Sequence, residues 1–426
     1  MTLGQPTATS YEDALITLKA LLNNGHQAMF AGGCVRDRLL GIRPADFDIA
    51  TSAKPNDTMT LFASLGYRVI PTGFDHGTVT VVTPSGSVEI TTLRCDVKTD
   101  GRHAVVDFDG ATFESDAARR DFTINAMFED VHSTVHDFFN GLSDLKTKTL
   151  KFVGAPAERI REDYLRILRF FRFWARFGFT PDAVALQAIT VEAAGLAHVS
   201  QERITSELWG TWSGVYACDA LKGMEGCHVT KLVCPESVPI NHSLSLILRD
   251  TSMVTMTIRP WLVLALCLGI LQGKRWTEDD VHKFSRRLRM SEKDARTLMD
   301  VFYGWDLLPK LTRDISDALD LAEHLEHHGQ GRDFLEFYAQ IWAFLAKHSR
   351  DQNLQEAVAW LVTADQTFGE RRKMPLPVTG RDIMEIHPSL AGSRIGDAMA
   401  LTRKSFRNGH WRTRQEGLNF LRNQKF

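Results

Sequence analysis

The sequence predicts an α+β protein: an N-terminal head with a small mixed β-sheet, followed by an all-α remainder. Three observations carry this reading. Residues 1–150 mix helical and strand periodicities, and after residue 150 the strand signal fades. Two β-rich runs, 78–83 and 87–93, flank Pro84-Ser85-Gly86, a hairpin signal. With 426 residues the chain is too long for one ordinary core, so more than one domain is expected.

Within the head, residues 12–23 read as a helix, and Ala28 to Ala31 as a short buried strand running into Gly32-Gly33. Val35 to Leu40 suits a helix, Phe47 to Ala50 a strand, and 56–65 a helix with Pro55 near its start. Residues 95–112 are polar and contain glycine, as in a mobile loop or loose ribbon. The run Arg119 to Met127 puts polar groups ahead of an apolar helix. Beyond it, helical patterns cover 156–176, 182–195, 201–215, 244–250, 261–271, 278–289, 291–304, 314–328, 331–347, 353–368, 380–385, 395–407 and 411–423. Boundaries near 145, 205 and 310 give four parts: 1–145, 146–205, 206–310 and 311–426.

Fifty basic and 52 acidic residues leave a formal net charge of −2, so any nucleic-acid surface must be a local patch. The six cysteines form no C-x-x-C pair and lack zinc spacing, which points to reduced thiols in a cytoplasmic protein. The N-terminus carries no signal-peptide pattern, and the longest apolar stretch, Trp261 to Leu271, is too short to span a bilayer. No membrane association and no obligate protein partner are indicated.

Asp46-Phe47-Asp48 is the most informative motif. Residues two apart in a strand share a face, so the aspartates project together while Phe47 turns away. Adjacent carboxylates repel, and a divalent cation relieves that penalty; Mg²⁺ favours one or two carboxylates plus substrate phosphates. Glu89, on the following hairpin, is a third ligand, a support acting through Arg94, or a charged residue on a hairpin face. Gly32 and Gly33 let backbone amides approach phosphate oxygens without a Cβ in the way. Arg36 is then placed to pair with a phosphate, with Asp37 orienting it. The planar forks of Arg119 and Arg120 suit a triphosphate. Asp121 and Asn125, four apart, share a helix face and are placed for ribose hydroxyls or as buttresses; Asp121 is also a candidate N-cap.

Six arginines fall between Arg159 and Arg176, interleaved with apolar residues. On one helix Asp163 and Arg166 would be neighbours, able to read the pairing edge of a base, with Arg169 beside them; the bland alternative is an intrahelical ion pair. Arg172, Arg403, Lys404, Arg407 and Arg412 are candidate RNA contacts. The segment 403–426 holds seven lysines or arginines against one acid, with Phe406 and Trp411 interleaved. His324, His327 and His328 suit an exposed polar face.

These motifs together resemble the tRNA nucleotidyltransferase and poly(A) polymerase family, specifically its bacterial class II, CCA-adding members. Gly-Gly-x-Val-Arg-Asp stands at 32–37, Asp-x-Asp at 46–48, Arg-Arg-Asp-Phe-Thr-Ile-Asn-Ala-Met at 119–127 and Asp…Gly…Asp-Leu at 137–145. Glu-Asp-x-x-Arg stands at 162–166, Glu-Arg-Ile…Glu-Leu at 202–208 and Thr-Gly-Arg-Asp at 379–382. The resemblance implies a nucleotidyltransferase-fold head, a helical neck, a body and a tail in a hooked shape. It implies Asp46 and Asp48 as Mg²⁺ ligands and catalytic residues, Arg119, Arg120 and Asp121 at the triphosphate and ribose, and Asp163 with Arg166 selecting CTP or ATP. It implies tRNA along body and tail, and addition of C and A to the tRNA 3′ end. Asp96 to His103 looks like the family's loop for switching to ATP, though it is slightly short and has Ala104 where proline is common. An A-adding or CC-adding enzyme, a poly(A) polymerase and a non-catalytic RNA-binding protein are the rivals.

Overall fold

The computed structural model describes residues 9–99, 104–108, 110–310, 334–349, 351–360, 376–390, 392–407 and 410–424. It divides into two compact units, Met1–Ile240 and Asn241–Phe426.

The first unit begins with α1 (Tyr11–Asn23), capped by the Ser10 hydroxyl, which accepts from the Asp13 amide at 3.1 Å. There follow β1 (Ala28–Ala31), α2 (Gly33–Leu39), β2 (Phe47–Thr51), α3 (Pro55–Ser64), β3 (Arg68–Gly73), β4 (Thr78–Val82) and β5 (Ser87–Thr92). An antiparallel ribbon of β6 (Cys95–Thr99) and β7 (Ala104–Asp107), then α4 (Phe113–Ala118), β8 (Met127–Glu129), β9 (Val135–Asp137) and α5 (Gly141–Thr147) complete the head. Seven strands form one mixed sheet in the order β3-β4-β5-β2-β1-β8-β9, in which only β2 and β5 pair in parallel.

That topology positions the site. β2 lies mid-sheet, and strand alternation sends Phe47 into an aromatic cluster with Phe30 and Tyr11 of α1, at 5.7 and 5.9 Å between ring centroids. Asp48 therefore takes the other face, and the parallel register places Glu89 of β5 directly beside it. Gly32 closes β1 with φ +71°, and a Cβ there would lie 2.6 Å from Arg120 Nη1; no other residue fits this turn without displacing that arginine.

A mainly helical layer follows in the same unit: α6 (Pro156–Glu162), α7 (Leu165–Phe177), α8 (Ala183–Glu192), α9 (Gln201–Trp212), α10 (Ala217–Gly226) and α11 (Val229–Val233). Against the all-α expectation it holds one short parallel strand pair, Thr149–Leu150 with Thr180–Pro181. Helix α7 packs on α9 and α10, with Phe171 and Trp174 against Gly223 of α10, while the fully buried Phe170 stacks on Phe152. Phe122 ties the head to this layer, meeting Phe152 and Phe173 at 5.0 and 5.1 Å.

Two expectations are corrected. The helix predicted over 156–176 is broken at Asp163, whose backbone is extended (φ −153°, ψ 104°). Asp163 starts the new helix instead: its carboxylate accepts from the Leu165 amide at 3.1 Å, and its carbonyl from the Arg166 amide at 2.9 Å. Residues 119–127 do not lead into a helix either; Phe122 is extended, one 3₁₀ turn covers Thr123–Asn125, and β8 begins at Met127.

The second unit is all-α among its described residues, with helices His242–Asp250, Arg259–Cys267, Glu278–Arg287, Glu292–Leu307, Phe334–His348, Gly380–Ile386, Ser393–Arg407 and Arg414–Arg422. Trp342 donates to the Val301 carbonyl and Tyr338 to Asp300, each at 3.1 Å. Val378, Ile383, Leu390, Ala398, Trp411 and Leu421 form a further core. Trp411 and Phe406 pack there rather than offering faces to a ligand, while Arg403 and Arg412 are exposed. The side chains of Lys404 and Arg407, and the three histidines 324, 327 and 328, lie outside the described residues. Among the described residues no helix is long and apolar enough to cross a membrane.

The tightest backbone approach in the head generates a prediction. A Cβ on Gly141 would sit 2.3 Å from the Thr123 carbonyl oxygen and 2.9 Å from Met127 Cγ. Gly141→Ala should destabilise the head by about 1–3 kcal/mol in urea denaturation, as overpacking does. An unchanged midpoint would show that this contact relaxes freely.

Candidate active site

A cleft of about 560 Å³ gathers the sequence motifs of the first unit on one wall-to-wall surface. Gly32, Gly33, Arg36, Asp48, Glu89, Arg119, Arg120, Asp121, Asn125, Asp163, Arg166 and Arg169 all line it. They come from the start of α2, from β2 and β5, from the segment between α4 and β8, and from the α6–α7 junction and α7, so residues 137 positions apart in sequence meet here. Asp46 stands just before β2 and is exposed; Arg172 is not part of the lining.

The carboxylate end is poised for a cation. Burial raises the Asp48 carboxyl to about 6, the neighbouring Glu89 charge adds to this, Arg120 opposes it, and Asp46 adds a smaller push. Among the described residues no three carboxylate, imidazole or thiol groups converge as a ready-made cage. A crowded pair that is uncomfortable as anions, without a closed cage, is the donor set expected for an ion that completes its shell with water and phosphate oxygens. Arg94 bonds to the His76 carbonyl.

The arginine end is prebuilt. Asp116, buried on α4, takes Arg119 at 2.5 Å on one oxygen and Arg120 at 3.0 Å on the other. Burial pushes its carboxyl up, but the two guanidinium groups outweigh this and hold it below the usual carboxylate range. Nothing in the periodicity marked Asp116; its only signal was an acid three and four residues before a pair of arginines. Arg120 also donates to the Asn125 carbonyl at 3.3 Å, across the edge of Gly32.

Asp121 sits at the centre. One of its oxygens accepts from the Phe122 amide at 2.8 Å and from Asn125 Nδ2 at 3.1 Å; the other takes Arg169 Nη2 at 2.6 Å. It is therefore a buttress inside the wall and not a helix N-cap. Despite complete burial its carboxyl stays below the ordinary range, with Arg169 as the main opposing cause. The Asn125 carboxamide oxygen accepts from Arg36 Nη1 at 2.5 Å. Arg36 is itself buried and doubly bonded to Asp37 at 2.7 and 2.8 Å, so it is a structural post of the cleft rather than a free phosphate arm.

The intrahelical Asp163–Arg166 ion pair, the bland alternative to base reading, does not form. Arg166 pairs with Glu162 at 2.6 Å and donates to the carbonyls of Arg159 and Arg119 at 2.9 and 3.0 Å. Asp163 pairs with Arg203 of α9 at 2.6 Å. The chain break at Asp163 explains the separation, because the two residues no longer share one helix face. Arg203 and Phe173 also line the cleft and were not among the predicted site residues. Arg172 pairs with Glu207 at 2.6 Å, away from the lining.

Residues 28–151 match the family described as Poly A polymerase head domain. The mouse protein named CCA tRNA nucleotidyltransferase 1, mitochondrial, is 34% identical over 440 residues, covering 98% of this chain and 92% of the mouse protein. The chain belongs to the tRNA nucleotidyltransferase and poly(A) polymerase family. A bacterial member, the CCA-adding enzyme of Streptococcus pyogenes serotype M2, is 32% identical over 338 residues, 75% of this chain and 81% of that one. The crystal structure of the Bacillus stearothermophilus CCA-adding enzyme in complex with CTP superposes with a TM-score of 0.72 at 28% identity, covering 96% of both chains. The family likeness thus spans the helical units as well as the head.

The raised Asp48 carboxyl gives a stability prediction whose sign is set by the direction of the shift. A carboxyl raised in the folded state costs stability as pH climbs from its ordinary value through about 6. In metal-free buffer, Asp48→Asn should gain on the order of 2 kcal/mol near neutral pH, with the gain vanishing at acid pH, in urea titrations. Added Mg²⁺ should stabilise the parent protein and not the variant. Equal stabilities at neutral pH would show that Asp48 ionises without penalty.

Proposed function

We propose that this chain adds C and A to the 3′ end of tRNA from CTP and ATP, restoring C-C-A and releasing pyrophosphate without a covalent enzyme intermediate. The observation that carries the reading is the single cleft that holds a strained carboxylate pair at one end and the Asp163–Arg166 region at the other. Near-full-length likeness to proteins named CCA tRNA nucleotidyltransferase supports it.

In this reading Asp46 and Asp48 hold Mg²⁺, with Glu89 beside them raising the negative potential. Bound there, divalent ions would activate the attacking 3′-hydroxyl and neutralise the leaving phosphate oxygens. Gly32 and Gly33 leave room for phosphate oxygens: a Cβ on Gly33 would touch only the tip of Arg36, at 3.6 Å, so the protein itself does not fill that space. Arg119 and Arg120 are held by Asp116 with one side of each fork, which orients the remaining donors toward the triphosphate. Asp121 and Asn125 stiffen the wall behind the ribose. Arg166 and Asp163 offer donors and an acceptor to the pairing edge of the base, Arg166 held by Glu162 and Asp163 by Arg203. Rate then comes from positioning and fixed charge rather than from covalent chemistry.

We assign the chain's parts on the same basis: a catalytic head at 1–145, a neck at 146–205 that carries the base reader, a body at 206–310 and a tRNA-binding tail at 311–426. Arg403 and Arg412, both exposed, suit phosphate contacts in that tail. A reducing compartment such as the cytoplasm suits Cys34 and Cys227, which are buried thiols.

Three measurements test this. Offered tRNAs truncated at successive positions of C-C-A, with CTP, ATP or both, the enzyme should complete every one; extension of only the last substrate would make it A-adding, and long A tails a poly(A) polymerase. Asp48→Ala should lose incorporation of both nucleotides by more than about 100-fold while tRNA binding persists, consistent with losing a preorganised charge centre; retained turnover would remove Asp48 as a ligand. Arg166→Ala should relax base choice more than it slows the chemistry, and unchanged selectivity among the four nucleotides would exclude it as the base reader.

A further inference from the structure

Arg176, in the last turn of α7, does not line the cleft, yet it forms the exposed end of a chain of contacts that starts there. Its Nη2 pairs with Asp37 Oδ2 at 2.9 Å. The other oxygen of Asp37 takes Arg36, whose guanidinium lies over the rings of Phe173 and Phe177 at 5.2 and 4.9 Å and donates to Asn125. Asp37 and Arg36 belong to α2, the helix that leaves the glycine turn; Phe173, Arg176 and Phe177 belong to α7. Burial of Arg36, the larger cost, and its repulsion by Arg176 are offset only in part, chiefly by Asp37 and to a smaller extent by Asp121.

We infer that Arg176 is a positioning residue for base selection: through Asp37 it clamps α2 to α7 and fixes the span between the triphosphate seat and the base reader. The inference rests on the function proposed above. Arg169 and Arg176 are seven residues apart on one face of α7, about 10.5 Å along the axis. Arg169 ties α7 to Asp121, and Arg176 ties it to Asp37. Arg166 also ties α7 to the head through the Arg119 carbonyl, but that tie and Arg169 lie within one turn of each other; Arg176 is the polar tie two turns further on that restrains tilt at the other end. Arg166 lies three residues beyond the Arg169 tie, about 4.5 Å, so tilt released at Arg176 bears on the hydrogen bonds that hold Arg166 at the opposite end. A nucleotide anchored by its phosphates presents its base at a fixed distance, and a reader that drifts loses the register on which discrimination depends.

The test uses the full-length protein with tRNA lacking its terminal C-C-A, measuring kcat and KM for each of the four nucleotides and the thermal midpoint. Arg176→Ala should raise KM for CTP and lower discrimination against UTP by about three- to five-fold, the range of one partly exposed ion pair. Its kcat for CTP and its midpoint should stay near the parent values. Arg176→Lys should regain at least half of the lost discrimination. Because the Arg176 side chain is 48% exposed, high salt should erode the parent's discrimination toward that of Arg176→Ala. Parent-like discrimination in Arg176→Ala overturns the inference, as does a loss that merely tracks a lower midpoint. Absence of any CTP and ATP preference in the parent enzyme is a different result and overturns the proposed function instead.

Discussion

The ion pair between Asp121 and Arg169 is the contact on which the rest of the site depends. It joins a buried carboxylate of the head to the second turn of α7, and both oxygens of Asp121 are fully engaged. Removing Arg169 would leave the Asp121 carboxylate buried without its cation, a loss far larger than that of a surface pair. Asn125 is oriented by Asp121, Arg36 by Asn125, and the glycine turn lies against Arg120. One buried carboxylate thus sets the geometry of three motifs that are far apart in sequence.

The two ends of the cleft differ in how they meet charge. At the arginine end each cation has its anion already: Asp116 for Arg119 and Arg120, Glu162 for Arg166, Asp121 for Arg169. At the carboxylate end the anions crowd one another, and Asp48 carries the strain as a raised pKa. A metal-bound triphosphate is the complement of both, supplying positive charge to one end and negative charge to the other. This is electrostatic preorganisation of the kind that accelerates phosphoryl transfer without covalent participation.

Much of this was legible in the sequence, and the exceptions share a cause. β1, β2 and the β4–β5 hairpin were read where they stand, because alternation and turn residues act over a few positions. β3, β8 and β9 escaped: Met127–Glu129 and Val135–Asp137 are three-residue strands that give no period to detect, and the edge strand Arg68–Gly73 has no fully buried face and carries Pro71. The break at Asp163 escaped because the arginine and apolar spacing runs on through it; only the capping bonds of Asp163 end one helix and begin the next. The motif at 202–208 was visible, but the pairing of its Arg203 with Asp163 was not, because α9 supplies that residue across the fold. The motif residues themselves converged almost completely, Arg172 and Asp46 excepted from the lining, because each motif sits at the end of a strand or the start of a helix that faces one cleft. Trp411 shows the opposite error, an aromatic among basic residues that belongs to a core.

The central claim is that one cleft joins Asp48, a metal-holding carboxylate assisted by Asp46 from just before β2, to a base reader at the α6–α7 junction. A crystal structure with Mn²⁺ and CTP, located by the anomalous signal of the metal, tests it directly. The account predicts a metal bound to oxygens of Asp46 and Asp48 at about 2.1–2.2 Å, the usual range for a hard divalent ion with carboxylates, with the triphosphate against Gly32 and Gly33 and the cytosine edge at Asp163 and Arg166. A metal held elsewhere, or a cytosine pointing away from α7, would contradict it.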